Sequence, residues 1–196
     1  MAYYLLIIPL ILYAYFFYKF IRKTQNFHYA IAVIATIIGL IDKDYIFLNE
    51  GFLGFSFIII VMFTGVIDHG KLKTRLMSVR GIYAIIGYIL VSSHAISYLQ
   101  SIINSNFLSS NIMVPLGVLI YLTFLPLFIT SFHSIRKRMS FKTWKTLHRF
   151  AYLGYYLIFF HVYLLDNSRQ GFYIALFLIY TVLRIIQAIK NKKRKS

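Results

Sequence analysis

Long apolar runs alternate with short basic clusters along the whole chain. A helix that crosses a bilayer needs roughly 20 mostly apolar residues, and seven segments approach that length. Asp42, Lys43 and Asp44 interrupt the second segment, which is therefore expected to end near Ile41. The pattern predicts an all-α integral membrane protein, a bundle with spans at residues 3–21, 28–48, 51–67, 79–100, 112–132, 147–165 and 171–189.

The basic clusters predict the orientation of these spans. Lys and Arg gather at residues 19–23, 71–80, 136–149 and 184–195, on one side of the membrane if all seven segments cross. Basic loops stay in the cytoplasm, so the C-terminus is expected inside and the N-terminus outside a cell membrane. The first apolar run has no basic start and no small-residue cleavage site, which favours a retained span over a signal peptide. The opposite face carries Lys43 and Arg169 against an acidic group: Asp42, Asp44, Glu50 and Asp166.

Composition excludes several classes of protein. Of 196 residues, 60% are apolar and 13% are charged, with a mean hydropathy of +0.72. A soluble domain of this size could not bury so much apolar surface. The net charge of +16 is divided among loop clusters, so we expect contact with the bilayer and no nucleic-acid partner. The chain has no cysteine, which excludes disulfides, thiolate metal sites and cysteine nucleophiles.

Three histidines lie within predicted spans: His94, His148 and His161. An ionisable residue inside a membrane is costly and is a functional-site hypothesis by default. Neutral imidazole commonly binds haem iron. His161 follows His148 by 13 residues, about 20 Å along a helix, which places His161 in the outer half of its span. His94 follows Arg80 by 14 residues and reaches the same depth, so we expect one haem to bridge His94 and His161.

The histidine pattern leaves alternatives open. A 13-residue step turns a side chain by roughly 140°, so spacing alone does not establish a second haem at His148. Each of the three could instead form a structural hydrogen bond between helices. The other histidines fall near the inner boundary, where an interfacial role is expected, although each is a candidate partner for His148: His28, His69 and His133.

Arginines and glycines near these histidines also have two interpretations. Arg75, Arg80 and Arg149 lie at the inner boundary, where they could pair with haem propionates or anchor the helices on the basic side. Gly81, Gly87 and Gly154 could leave room for a flat macrocycle, but close helix approach is the favoured interpretation.

Several motifs are similar to those of one known family. The stretch H-A-I-S-Y begins at His94, a T-S pair occupies Thr130 and Ser131, and W-x-x-x-H-R runs from Trp144 through His148, followed by His161. Together they resemble the ferric reductase-like transmembrane domain, and most closely the MsrQ (YedZ) haem-binding membrane subunits. Members of this family have six core helices. The resemblance therefore implies an extra N-terminal transmembrane helix at 1–27, the haem domain at 28–189 and a basic cytoplasmic tail at 190–196.

The resemblance implies a haem b subunit of an oxidoreductase, with His94, His148 and His161 as iron ligands. NADPH oxidases carry a fourth histidine where this chain has Arg80, which leaves one haem or two open. Electrons are expected to enter from quinol or a cytosolic flavin reductase, with FMN or a quinone as further candidate cofactors. They would leave to an extracytoplasmic reductase or another acceptor. The sequence has no glycine-rich dinucleotide fingerprint, so a separate donor is expected.

Two alternatives stand beside this interpretation. The first is a ferric-chelate reductase subunit that reduces external iron with electrons from a separate cytosolic flavoprotein. The second is a haem-free membrane transporter or scaffold whose histidines are structural. A chromophore separates the second from the others, and the acceptor separates the first from an MsrQ-like role.

Overall fold

The computed structural model describes residues 6–42, 50–105 and 113–193, with side chains up to residue 100 in the second range. All regular secondary structure in these ranges is helical, which confirms the all-α prediction. The described residues do not include Lys43 and Asp44. Between the predicted spans at 79–100 and 112–132, they include only the backbone of residues 101–105. The helices are α1 (Ile7–Lys23), α2 (Gln25–Ile41), α3 (Phe52–Thr64), α4 (Lys71–Ser105), α5 (Met113–Ile129), α6 (His133–Arg136), α7 (Phe141–Leu147), α8 (Phe150–Leu165) and α9 (Gln170–Lys193).

Length and composition qualify two stretches of described helix to cross a membrane: Lys71–Gln100 and Asn167–Lys193. The pair α1 and α2 qualifies together as a third, and α3 and α5 are shorter apolar helices. The second helix ends at Ile41, as the acidic interruption predicts. The finding supports a membrane protein, while the predicted count of seven spans stays a prediction.

The N-terminal helices are joined more tightly than the sequence pattern predicts. The structure bends the chain by 106° between α1 and α2, with Thr24 alone at the joint. His28 fixes this bend: its Nε2 lies 2.8 Å from the Tyr13 hydroxyl and its Nδ1 lies 2.8 Å from the Thr24 carbonyl oxygen. Polar residues that suggest a loop therefore form a helical corner instead.

Helix α1 is part of the core. Two side chains of α4 donate hydrogen bonds to its backbone: Arg75 to the Tyr15 carbonyl and Tyr83 to the Leu10 carbonyl, each at 2.8 Å. Ala14 of α1 is fully buried against this contact. The segment predicted as an added helix is thus packed on the longest helix of the bundle.

Close helix crossings hold the remaining bundle together. A Cβ atom at Gly54 of α3 would lie 2.5 Å from Val91 and 2.8 Å from the Gly87 carbonyl oxygen of α4. A Cβ atom at Gly154 of α8 would lie 2.5 Å from the Phe124 ring of α5. Small residues allow such approach where apolar lipid gives helices little reason to associate. At Gly87 and Gly154, close approach is therefore the supported interpretation.

An ion pair joins the α3–α4 turn to the end of α9. Lys190 donates hydrogen bonds of 2.9 and 2.8 Å to the two carboxylate oxygens of Asp68. This contact and the positive charge of Lys190 lower the pKa of Asp68. The pair is exposed and therefore contributes little to stability.

Candidate functional site

Helices α4 and α8 bring two of the predicted ligands together. The imidazole rings of His94 and His161 have centroids 6.4 Å apart and planes inclined by 80°. Both side chains are partly buried, and the Tyr98 ring lies 4.7 Å from that of His94. The depth argument from sequence predicts this proximity, and the role of the pair as ligands stays a prediction.

A glycine lies close to each of the two imidazole rings. Gly51 has a φ of 72°, a left-handed conformation that glycine adopts without strain, and it precedes α3. A Cβ atom there would lie 3.3 Å from Cβ and Cγ of His94. A Cβ atom at Gly117 of α5 would lie 3.3 Å from Cε1 of His161. The absent side chains leave space beside the two imidazoles.

His161 carries a nitrogen that nothing in the described part of the chain satisfies. The Met113 backbone is a hydrogen-bonding neighbour of this ring, but Nδ1 is buried without a partner among the described residues. Buried polar atoms are nearly always hydrogen-bonded or coordinated. Two imidazoles that share one metal ion through bonds of about 2 Å have centroids roughly 6 Å apart. The separation fits a shared iron, and the unsatisfied Nδ1 fits an iron bound through that nitrogen.

His148 has a different environment at the other end of α8. The helix is not continuous through it: α7 ends at Leu147, α8 begins at Phe150, and His148 lies in the turn between them. The axial spacing assumed for an unbroken helix therefore does not apply to His148 and His161. The ring centroid of Trp144 lies 4.3 Å from that of His148, so the histidine is also covered on one face.

A hydrogen bond occupies Nε2 of His148. This nitrogen lies 3.0 Å from the hydroxyl oxygen of Thr130, which itself donates to the Pro126 carbonyl oxygen at 2.7 Å. A hydroxyl has one proton to give, so Thr130 accepts from His148, and Nε2 carries the proton. That nitrogen is unavailable to a metal while the bond persists.

The remaining histidines do not supply an evident partner for His148. His28 uses both ring nitrogens at the α1–α2 bend. His69 and His133 are exposed. The structure thus gives His28 contacts within the protein, and an interfacial role for these three stays a prediction. Groups of three or more histidine or acidic side chains that could hold a metal ion do not occur among the described residues.

The three predicted arginines have separate surroundings. Arg75 lies 4.3 Å above the Tyr15 ring and bonds its carbonyl, so its contacts support anchoring of α1. Arg80 lies near Met77 and acts electrostatically on His148, and Arg149 is exposed at the start of α8. The pairing of these arginines with propionates stays a prediction.

Sequence reasoning missed a stack of three aromatic rings on α4 and α5. Tyr88 of α4 stacks on Tyr121 and Phe128 of α5, with centroids 4.7 and 4.5 Å away. Ser92 lies 3.0 Å from the Tyr121 hydroxyl. The seven-residue spacing of Tyr121 and Phe128, which places them on one helix face, was the available signal. Gly51 and Gly117 were missed because a lone glycine has many roles.

One member of the predicted acidic outer group, Asp166, is paired locally. Asp166 pairs with Arg169 at 3.2 Å and accepts a hydrogen bond from Ser168 at 2.6 Å. Arg169 in turn lies 5.3 Å above the Phe52 ring. Asp44 lies outside the described residues. Asp166 therefore has a structural partner, and attraction of a cationic acceptor to this group stays a prediction.

The fold and the site together define a helical membrane protein with two histidines close together on neighbouring helices. Comparison with known families shows which one: the ferric reductase-like transmembrane component matches residues 45–159, more than half of the chain. The chain belongs to this family. The match contains α3, α4, α5 and most of α8, with Trp144 and His148, but ends two residues before His161.

One curated relative is an uncharacterized protein of Treponema pallidum (strain Nichols). It is 34% identical over 151 residues, which cover 68% of this chain. The same alignment covers 42% of the relative, so the chain spans less than half of that protein's length. No solved structure matches the chain.

Proposed function

We propose that this protein is a transmembrane electron carrier that holds b-type haem between His94 and His161. Membership of the ferric reductase-like transmembrane family supports electron transfer across a membrane in general terms. The observation that supports the haem assignment is the histidine pair, with ring centroids 6.4 Å apart and a buried Nδ1 on His161 that has no partner among the described residues.

The chain's own residues would perform three tasks at this site. His94 and His161 would supply one imidazole from each of two neighbouring helices to hold the haem iron. Gly51 and Gly117 leave space beside the imidazoles. The apolar helices around them exclude water, which tunes a redox potential through the local dielectric. The haem, when bound, would accept and release single electrons.

The donor and acceptor belong to the same proposal. A haem held by both histidines would supply outer-sphere electron transfer, so electrons would be exchanged with separate redox partners. We assign quinol or a cytosolic flavin reductase as donor, on the side of the basic loops. An extracytoplasmic reductase, as in MsrQ-like systems, is the proposed acceptor. A ferric chelate is the second candidate acceptor, which the family's description favours.

The first test is the dithionite-reduced minus oxidised spectrum of the detergent-purified protein, together with haem content per chain. We expect sharp b-type α and Soret bands and one haem per chain. A second haem would require another ligand for His148. A colourless protein, after expression with ample haem supply, would refute the proposal and favour a haem-free scaffold. Rapid reoxidation by a ferric chelate would identify iron as an acceptor.

A further inference from the structure

A cleft lined by basic and aromatic side chains lies near the N-terminal end of α8. It has a volume of about 190 Å³, and we call it the loop cleft; its walls are His133, Arg136, Lys137, Met139, Phe141 and Trp144. None of these residues is acidic, and no acidic residue occurs in the sequence between Asp68 and Asp166. Charge complementarity therefore favours an anionic occupant.

The aromatic wall of the loop cleft is ordered by mutual contacts. The guanidinium of Arg136 lies 4.2 Å above the Trp144 ring, and the Phe141 and Trp144 rings stack at 6.3 Å with an interplanar angle of 27°. A cation held over an indole face keeps its N–H groups available to a second ligand. Arg136 is thus fixed at the wall rather than spread into solvent.

Trp144 also carries a polar atom without a partner. Its Nε1 is buried and has no hydrogen-bond partner among the described residues. An indole nitrogen can only donate, so it requires an acceptor such as an anionic oxygen. The nitrogen has almost no solvent-accessible surface, so the Trp144 ring must turn before Nε1 can donate to a ligand in the loop cleft.

Apolar groups at the rim distinguish a lipid from a soluble anion. Phe141 is 66% exposed and Ile135 is 37% exposed, although each lies next to a basic residue in the sequence. Exposed apolar side chains interleaved with cations are typical of segments that lie in the membrane interface. Basic pockets at this level bind the headgroups of anionic lipids.

We propose that the loop cleft binds the phosphate group of an anionic phospholipid. Arg136 and Lys137 would pair with the phosphate, Trp144 Nε1 would donate to one of its oxygens, and Phe141 would contact the acyl region. The site is independent of the proposed haem site. It would nevertheless influence His148, because Trp144 contacts both the cleft and that histidine.

The single tryptophan of the chain is a built-in probe of the loop cleft. The purified full chain in neutral detergent is titrated with short-chain phosphatidylglycerol, with phosphatidylcholine, and with inorganic phosphate. We expect a saturable change of Trp144 fluorescence with phosphatidylglycerol alone. Native mass spectrometry that counts retained phosphatidylglycerol gives a second readout if the fluorescence does not change.

Two matched double variants distinguish binding in the loop cleft from attraction by the overall positive charge of the loop. Arg136→Gln/Lys137→Gln removes two charges from the cleft, and Arg138→Gln/Lys142→Gln removes two from the same loop outside it. We expect the first to weaken phosphatidylglycerol binding about tenfold and the second to leave it nearly unchanged. Equal weakening in both, or an equal response to phosphatidylcholine, would overturn the proposal. An equal response to inorganic phosphate would overturn the lipid assignment.

Discussion

The two ends of α8 hold their histidines in opposite ways. At one end, His161 lies beside His94 with a buried Nδ1 that has no partner in the described part of the chain. At the other end, His148 donates from Nε2 to Thr130 and stacks on Trp144. One histidine within α8 and one in the turn before it are therefore distinguished by the contacts of their ring nitrogens.

This difference teaches how to weigh an intramembrane histidine. A buried nitrogen left unpaired costs free energy, so an arrangement that retains one implies a ligand that restores the balance. A histidine whose nitrogen is bonded by the protein needs no such ligand. The pair at His94 and His161 is thus the stronger haem candidate, and a second haem at His148 requires the Thr130 bond to break.

Removal of a ligand is expected to have the largest effect. His94→Ala or His161→Ala should abolish the haem between them, a loss greater than the about 10–100-fold cost in metal affinity of removing an outer-shell partner. His148→Ala should retain that haem, because its ring bonds Thr130 rather than the pair. The measurement is haem content per chain of the three purified variants, with helical circular dichroism as a check on folding. Equal loss in all three would contradict the comparison.

Crowding one imidazole should have an intermediate effect. In Gly117→Ala, the new Cβ would lie 3.3 Å from Cε1 of His161 and push the ring aside. Haem retention should fall about tenfold, although alanine favours the helix by about 0.5–1 kcal/mol. Gly81→Ala is the control: its Cβ would meet only the Ser131 carbonyl oxygen at 3.8 Å. If both substitutions reduce haem content alike, the space beside His161 is not what matters.

Sequence patterns predict the helices of this protein well because each apolar run has few ways to avoid water. The helix boundaries differ from the predicted ones where polar residues can form hydrogen bonds locally. Thr24 and His28 do so, and they form a helical corner instead of a loop. Length alone cannot reveal that Arg75 and Tyr83 hold α1 against α4. Such contacts join residues 60 and 73 positions apart.

The candidate site is only partly readable from sequence. The depth of His94 could be estimated because α4 is continuous, and its proximity to His161 was predicted. The axial distance from His148 to His161 could not be estimated, because the chain between them is not one unbroken helix. The state of each ring nitrogen could not be predicted either, because it depends on Thr130 of another helix and on the break before Phe150. The role of Gly117 depends on a third helix, α5, whose rotation about its axis the apolar pattern leaves unspecified.

The smallest expected effect tests the satisfied end of the comparison. Thr130→Val removes the acceptor for Nε2 of His148 while it keeps nearly the same volume. A lost hydrogen bond of this kind costs about 0.5–1.5 kcal/mol, so the midpoint of thermal unfolding should fall. Thr123→Val is the matched control, since the Thr123 hydroxyl bonds only the Leu119 carbonyl oxygen in its own helix.

Haem content in the Thr130→Val protein should equal that of the unmodified protein, because the bond lies at the opposite end of α8 from His161. The two readouts must therefore separate: lower stability with unchanged haem for Thr130→Val, and neither change for Thr123→Val. A loss of haem as large as that of His161→Ala would mean that His148 and the histidine pair act as one site. In that case His148 would be a haem ligand that bonds Thr130 only in the absence of haem, and not a structural histidine.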